Sequence, residues 1–368
     1  MAPNSKLNAK RKAQRESTKP AKPRTERHTL EHDKPLAISS IPFELQQLLL
    51  NIFRNAFAER LSSDFGPLLQ EVKGHLYNRD FATAFGKTEY LEAYAARWSP
   101  SRALGYLELF WDLKEQFWRI EETDALDGER SKSRKVVCLG GGAGAEIVAL
   151  GGLQKIMSDP DAASEGRGND RKMEIVAIDM ADWSLVVENL GKHLTAAPTL
   201  SKYASAAAKA ANVPLINRED ITMSFHQHDI LETTTPEIST HLAEANLVTL
   251  LFTLNELYTT SLPSTQKFLL HLTSLLQRGA LLFVVDSPGS YSSVTLNGAE
   301  KKYPMQWLLD HTLLKQANGN QGVRGQDEVP RWEKLKEDGS RWFRLDERLR
   351  YPIELENMRM QLHLYRRL

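Results

Sequence analysis

Val136-Val137-Cys138-Leu139-Gly140-Gly141-Gly142-Ala143-Gly144-Ala145-Glu146 passes from an apolar run through a cluster of glycines into a helical pattern. Val136–Leu139 reads as a strand, the glycines as a tight turn and Ala145–Met157 as a helix. Glycines at such a turn permit positive φ and let a ligand approach the backbone without meeting a Cβ. The helix N-terminus that follows favours an anionic group. A carboxylate and a pyrophosphate both meet that description, and the spacing leaves the choice open. Gly140, Gly142 and Gly144 give G-x-G-x-G; Gly140, Gly142 and Ala145 give the G-x-G-x-x-A of dinucleotide sites.

The alternation downstream of the turn narrows the choice. A second strand, Glu174–Ile178, ends at Asp179 and is followed by a helix over Trp183–Leu194. A third, Met223–His228, ends at Asp229. A fourth, Asn246–Phe252, leads to Asn255 and Glu256. A helix over Thr265–Leu276 precedes a fifth strand, Ala280–Val285, which ends at Asp286. After a long excursion, Arg341–Leu345 and Glu356–Tyr365 read as two final strands. This pattern predicts an α/β fold with a parallel sheet covered by helices on both faces. Seven strands, an acid for ribose hydroxyls at Asp179 and a second acid for adenine at Asp229 favour a Rossmann-like S-adenosylmethionine (SAM) methyltransferase sheet over a nicotinamide or flavin site. The expected cofactor residues are Gly140, Gly141, Gly142, Gly144, Asp179, Met180, Asp229, Ile230 and Thr253. One departure stands out: Cys138 occupies the strand position where SAM enzymes often carry an acid, and is expected to be a buried packing residue.

Upstream, residues 36–130 read as a helical module. Leu45, Leu48, Leu49, Ile52 and Phe53 form one apolar stripe, and Tyr94, Trp98, Tyr106, Phe110, Trp111, Phe117 and Trp118 make the segment before residue 120 aromatic-rich. Residues 121–134 read as a connector, 131–368 as the catalytic domain and 158–172 as a surface loop. Residues 1–35 hold 10 Lys/Arg against 4 Asp/Glu, a net of +6, and few large apolar groups. They are expected to be a disordered basic tail, a solubilising arm or a nuclear address with RNA affinity. The chain has one cysteine, so no internal disulfide, and neither a secretory signal nor a membrane-length apolar run. A soluble, intracellular protein is expected, with no membrane partner.

At several stretches the chain resembles the fungal large-subunit (25S) rRNA uridine-N3 methyltransferases. They are the Val136–Glu146 segment, Ala177-Ile178-Asp179-Met180-Ala181-Asp182-Trp183 and Leu251-Phe252-Thr253-Leu254-Asn255-Glu256-Leu257-Tyr258, with Tyr94-Ala95-Ala96-Arg97-Trp98-Ser99-Pro100-Ser101-Arg102-Ala103-Leu104 upstream and Lys302-Tyr303-Pro304-Met305-Gln306-Trp307-Leu308-Leu309-Asp310 downstream. The resemblance covers about residue 90 to the C-terminus. It implies a SAM-dependent enzyme of ribosome assembly that methylates N3 of a uridine in 25S rRNA or its precursor. It also implies a nuclear, nucleolar location, with the cytoplasm as alternative.

Uracil N3 must lose its proton as it attacks, so a carboxylate near the methyl is expected. Position at the strand ends nominates Glu256, with Asn255 and Asp286, as catalytic candidates; Glu256 also suits a helix N-terminus. Arg97, Trp98, Arg102 and Tyr303 are the candidate substrate contacts, against packing around Trp98 with solvated arginines. Trp307 is expected in the core. Arg341, Arg344, Arg348, Arg350, Arg359, Arg366 and Arg367 make a basic C-terminus, either RNA-facing or a solvated sheet edge. His226 and His228 flank Gln227 on one strand face, but no further ligand accompanies them, so no metal is expected. The protein is expected to be a monomer. Two rivals stand: a methyltransferase of proteins or small molecules, and a non-catalytic RNA-binding assembly factor.

Overall fold

Strand β1 (Ser133–Leu139) is buried on both sides: Val136 and Cys138 pack on one face of the sheet, Val137 and Leu139 on the other. Double burial of this kind is what a parallel strand under two helical layers requires. The computed structural model describes residues 39–62, 65–118, 133–158, 172–200, 202–210, 212–232, 235–289, 291–296, 299–318 and 330–368. The tail of residues 1–35, nearly all of the connector and the interior of the 158–172 loop lie outside the described residues. Ser40–Leu368 form one compact unit.

Parallel to β1 lie β2 (Lys172–Asp179) on one side and β4 (Leu247–Leu251) on the other. β3 (Ile221–Gln227) extends the sheet beyond β2, and β5 (Leu281–Asp286) extends it beyond β4, all parallel. The excursion after β5 contains an antiparallel hairpin, β6 (Tyr291–Leu296) with β7 (Ala299–Pro304), which the sequence reading did not include. The last strand, β9 (Met358–Arg367), inserts antiparallel between β5 and β8 (Trp332–Phe343), giving the order β3-β2-β1-β4-β5-β9-β8. The expected seven strands are therefore present. β8 begins at Trp332 rather than Arg341, because register shifts between Lys334 and Lys336 and between Asp338 and Arg341 break the alternation that marks a strand. Winding reverses at β1, so the carboxyl ends of β1 and β4 open a crevice.

The N-terminal helices cover one face together with helices Ala145–Met157 and Ser184–Thr195; Leu49, Phe53, Leu104 and Leu107 enter that core. Helices Pro236–Ala243, Leu254–Thr260, Leu262–Leu275 and Met305–Asp310 cover the other. No described helix is long and apolar enough to cross a membrane.

The 25-residue helix Thr88–Asp112 contains Pro100 in its interior. A proline there removes one i→i−4 hydrogen bond, a loss of about 3 kcal/mol in an ordinary helix. The stranded carbonyl is that of Ala96, and the Tyr351 hydroxyl donates to it at 2.9 Å. The Ser99 hydroxyl donates to the Ala143 carbonyl at 2.7 Å, and Ser101 accepts from the Glu356 N–H at 3.4 Å. The helix thus forgoes one backbone bond where it is tied to the glycine turn and to the C-terminal segment.

Candidate active site

Gly140 and Gly144 sit at φ +77° and +81°, a conformation that side-chain-bearing residues rarely adopt. Space restricts the turn further. A Cβ on Gly140 would lie 2.4 Å from Thr253 Oγ1, and one on Gly142 would lie 2.1 Å from Trp183 Cδ1. The Gly142 N–H donates to Asp179 Oδ2 at 3.2 Å and the Ala181 N–H to Oδ1 at 3.3 Å. The Asp179 carboxylate therefore faces the glycine turn. Burial pushes it up to about 6, opposed by the Ala181 and Gly142 N–H groups. Each oxygen keeps a lone pair for a hydroxyl donor. Beside it the Met180 side chain is 58% exposed. The Gln227 amide donates to the Met180 carbonyl at 3.1 Å, which ties the ends of β2 and β3 together. Beyond β3, Asp229 accepts from the Leu231 N–H at 2.9 Å and Ile230 is buried. Asp179 and Met180 after β2, and Asp229 and Ile230 after β3, thus stand at two neighbouring strand ends, and Asp179 also faces the glycine turn.

The second half of the crevice is built at the ends of β4 and β5. Phe252 adopts φ +58°, unusual for an aromatic residue, and its N–H donates to the Val285 carbonyl at 2.7 Å. The chain thus turns sharply into the Leu254–Thr260 helix. Asp286, 3% exposed, accepts from the Asn255 N–H at 3.0 Å and the Ser287 N–H at 2.7 Å. Burial raises it to about 6. The Asn255 and Ser287 N–H groups oppose that rise, with Arg102 adding a smaller effect; the Arg102 guanidinium donates to the Tyr94 hydroxyl at 2.7 Å and lies 5.3 Å from the centre of the Phe252 ring. Asn255 Oδ1 is buried with no hydrogen bond among the described residues. A buried acceptor left unpartnered at a strand end calls for an explanation, and a ligand group is one.

The remaining candidates fall in different places. Glu256 lies in the first turn of its helix, 3.5 Å from Arg79 Nη1, with both side chains well exposed. Arg97, 6% exposed, pairs with Glu356, and Trp98 packs 4.8 Å from the Tyr94 ring. Neither Arg97 nor Arg102 is the solvated arginine of the packing alternative, since both are drawn into the aromatic cluster of Tyr94, Trp98 and Phe252. Trp307 is 46% exposed, which corrects the expectation of core packing. Its short helix buries Met305, Leu308 and Leu309 and leaves position 307 on the outer side. There it stacks on Tyr303 at 4.8 Å and on His311 at 5.2 Å, an aromatic ladder at the surface. At the C-terminus Arg341, Arg348 and Arg366 are held by Glu108 and Asp112, by Asp346 and by Glu333.

Sequence reasoning missed Ser99, Trp183, Glu356 and above all Glu146. Glu146 is 2% exposed, accepts from Thr249 Oγ1 at 3.1 Å, and places Oε2 2.7 Å from where a Gly141 Cβ would stand. A carboxyl group does therefore lie under the turn, supplied from the helix while Cys138 packs beside it. A lone acid in the apolar run Ala145–Leu150 was the available signal. Burial raises Glu146 to about 7 from an ordinary 4.5. The folded state then binds more protons than the unfolded chain between those values, so stability falls as pH rises through 4.5 to 7 and stays lowered above. The effect is on the order of 3 kcal/mol. Glu146→Gln removes this limb: melting temperatures of wild type and variant against pH should converge at acid pH and separate above 7. Parallel curves would exclude the assignment.

Over residues 53–366 the chain matches a family profile described as "Putative SAM-dependent methyltransferase". It is 35% identical over 337 residues to the 25S rRNA (uridine(2843)-N(3))-methyltransferase of Saccharomyces cerevisiae, covering 87% of this chain and 85% of that one. Among solved structures, a SAM-dependent methyltransferase of Methanosarcina mazei is 12% identical at a TM-score of 0.34, covering 65% of this chain and 94% of that chain. One from Clostridium acetobutylicum is 10% identical at 0.33, covering 79% and 98%. At that level the two structures decide nothing about the site.

Proposed function

The chain belongs to this family of SAM-dependent methyltransferases, and from that premise we propose that it transfers the methyl of SAM to N3 of a uridine in large-subunit rRNA, as the name of its yeast relative states for that enzyme. What carries the reading on the structural side is one juxtaposition. The acid-flanked glycine turn at the end of β1 and the Asn255–Asp286 pair at the ends of β4 and β5 lie at neighbouring strand ends, linked through Thr253, whose Oγ1 stands 2.4 Å from where a Gly140 Cβ would lie.

Bound SAM supplies an activated sulfonium methyl. Asp179 takes the ribose hydroxyls, Met180 and Ile230 enclose the adenine with Asp229 at its edge, and the turn from Gly140 to Gly144 receives the carboxylate. The target uridine must be unpaired, because N3 lies on the Watson–Crick edge. Asn255 grips that edge through its side-chain NH2, which donates to a uracil carbonyl oxygen. Asp286 takes the N3 proton: burial has raised its proton affinity towards the working pH, which favours it as a base over Glu256, tied to Arg79 at the rim. The Arg102 guanidinium faces the negative charge that develops on the ring. Holding nucleophile and methyl in line contributes on the order of 7–11 kcal/mol.

The Tyr303–Trp307–His311 ladder, in which Trp307 is exposed, supports an RNA partner, since flanking bases stack on such a face. Loss of one stacking ring costs about 1–3 kcal/mol. Trp307→Ala should weaken rRNA binding by about 5- to 150-fold with SAM affinity unchanged, read by filter binding and calorimetry. Unaltered RNA affinity would remove the ladder from the substrate site. The basic arm of residues 1–35 supports a nucleolar location, with rRNA or a pre-ribosomal particle as substrate.

The decisive experiment incubates the protein with isotopically labelled SAM and either deproteinised large-subunit rRNA or pre-ribosomal particles. Nucleoside mass spectrometry should find label in N3-methyluridine. Label in protein or a small molecule, or in no uridine of either substrate, would overturn the rRNA reading.

A further inference from the structure

The structure parts the His226/His228 pair. β3 ends at Gln227, which leaves His228 outside the strand, and His226 meets two residues of the next helix, Glu237 and His241. One ligand atom from each of the three lies within 4.8 Å of the other two. The imidazole rings of His226 and His241 are 4.7 Å apart, and His226 Nδ1 is 3.4 Å from Glu237 Oε1. Glu237 and His241 stand four residues apart in the Pro236–Ala243 helix, so they share one face.

We propose that His226, Glu237 and His241 form a divalent transition-metal site of the zinc class, separate from the methyl-transfer crevice. The second observation behind it is independent of the clustering. His226 Nε2 and His241 Nδ1 are both buried and carry no hydrogen bond among the described residues. Leaving a buried ring nitrogen unpartnered is costly, and a metal bond satisfies it. Two nitrogens and one carboxylate oxygen suit zinc, cobalt or nickel; magnesium and calcium take oxygen ligands. Three protein ligands leave a fourth position for water.

Bonds of about 2.05 Å in tetrahedral geometry put donor atoms about 3.3 Å apart. The present spacing must therefore close by about an ångström and a half, which rotation of the exposed Glu237 carboxylate and a small ring adjustment supply. The surrounding charge permits a cation. Lys135 is the opposing group near His241, and it is held by Glu174 at 3.1 Å and Glu244 at 2.7 Å. Metal at this point would clamp the end of β3, three residues before Asp229, to the helix that leads into β4.

The test uses full-length, untagged, chelator-treated protein titrated with Co²⁺ and then Zn²⁺. Expected are one equivalent bound, a visible Co²⁺ absorption typical of four or five ligands that Zn²⁺ abolishes, and a higher melting temperature with Zn²⁺. Glu237→Gln, at a well-exposed position, and His241→Asn should each weaken Zn²⁺ by at least about tenfold and lose the thermal shift. Absence of stoichiometric binding in the wild type, or binding that persists in both variants, overturns the site. SAM affinity by calorimetry serves as the separate readout of the cofactor crevice, so the two readings fail independently.

Discussion

Gly142→Val loses SAM while the sheet stays folded. A valine Cβ would lie 2.1 Å from Trp183 Cδ1 and 2.3 Å from its Cγ, well inside van der Waals contact. Trp183 cannot swing aside, since it is 2% exposed and packed 5.4 Å from Phe85 and 5.7 Å from Tyr94. The turn must move instead, and with it the Gly142 N–H that holds the Asp179 carboxylate. A displacement near 1 Å costs about 100-fold in rate where alignment is the chemistry, so turnover should fall by about that factor, and SAM affinity by calorimetry should fall with it. Overpacking adds about 1–3 kcal/mol of lost stability, visible as a lower melting temperature with native circular dichroism. Gly74→Ala is the matched control: a Cβ there meets nothing within 4 Å, and SAM binding should be unchanged. Wild-type affinity in the valine variant would remove the glycine turn from the cofactor site.

The second large effect falls on turnover. Asp286→Asn keeps the shape and one acceptor oxygen but loses the base, and kcat should drop by about 10²–10⁴ with SAM affinity little altered. The pH profile separates this from simple damage. In the wild type Asp286 works deprotonated, so rate rises with pH through about 6 and levels above it. The variant should lack that limb and regain activity at alkaline pH, where uracil N3 ionises unaided. Glu256→Gln should leave both rate and limb close to wild type, because its carboxylate is committed to an exposed pair with Arg79 that contributes little. If instead Glu256→Gln abolishes the limb, the two carboxylates exchange roles.

The first strand, the glycine turn and the following helix were legible because they are local. Apolar run, punctuating glycines and helical periodicity lie within about twenty residues, and the observed helix Ala145–Met157 has the expected bounds. The first five strands follow for the same reason, each within a few residues of the reading. The position of Asp179 at the second strand end also needed only local pattern. The β6–β7 hairpin was missed because its Ser/Thr-rich first strand and Lys/Glu-rich second strand show no clear apolar alternation, and the early start of β8 because register shifts break its period. Trp307 was misplaced because a six-residue helix is too short to show which side faces the core.

The chain alone, through its residue periodicities and punctuation, dictated a doubly covered parallel sheet with a glycine turn and acidic strand ends. Tertiary packing decided everything that depends on distant neighbours: Trp183 and Thr253 pressing on the glycines, Glu146 filling the place that Cys138 leaves without an acid, Arg97 sinking against Glu356, and Asp286 being raised by burial. The reason is physical. Backbone preference and apolar spacing act between residues a few positions apart, whereas clash, desolvation and charge pairing exist only once the sheet has brought remote segments within a few ångströms of one another.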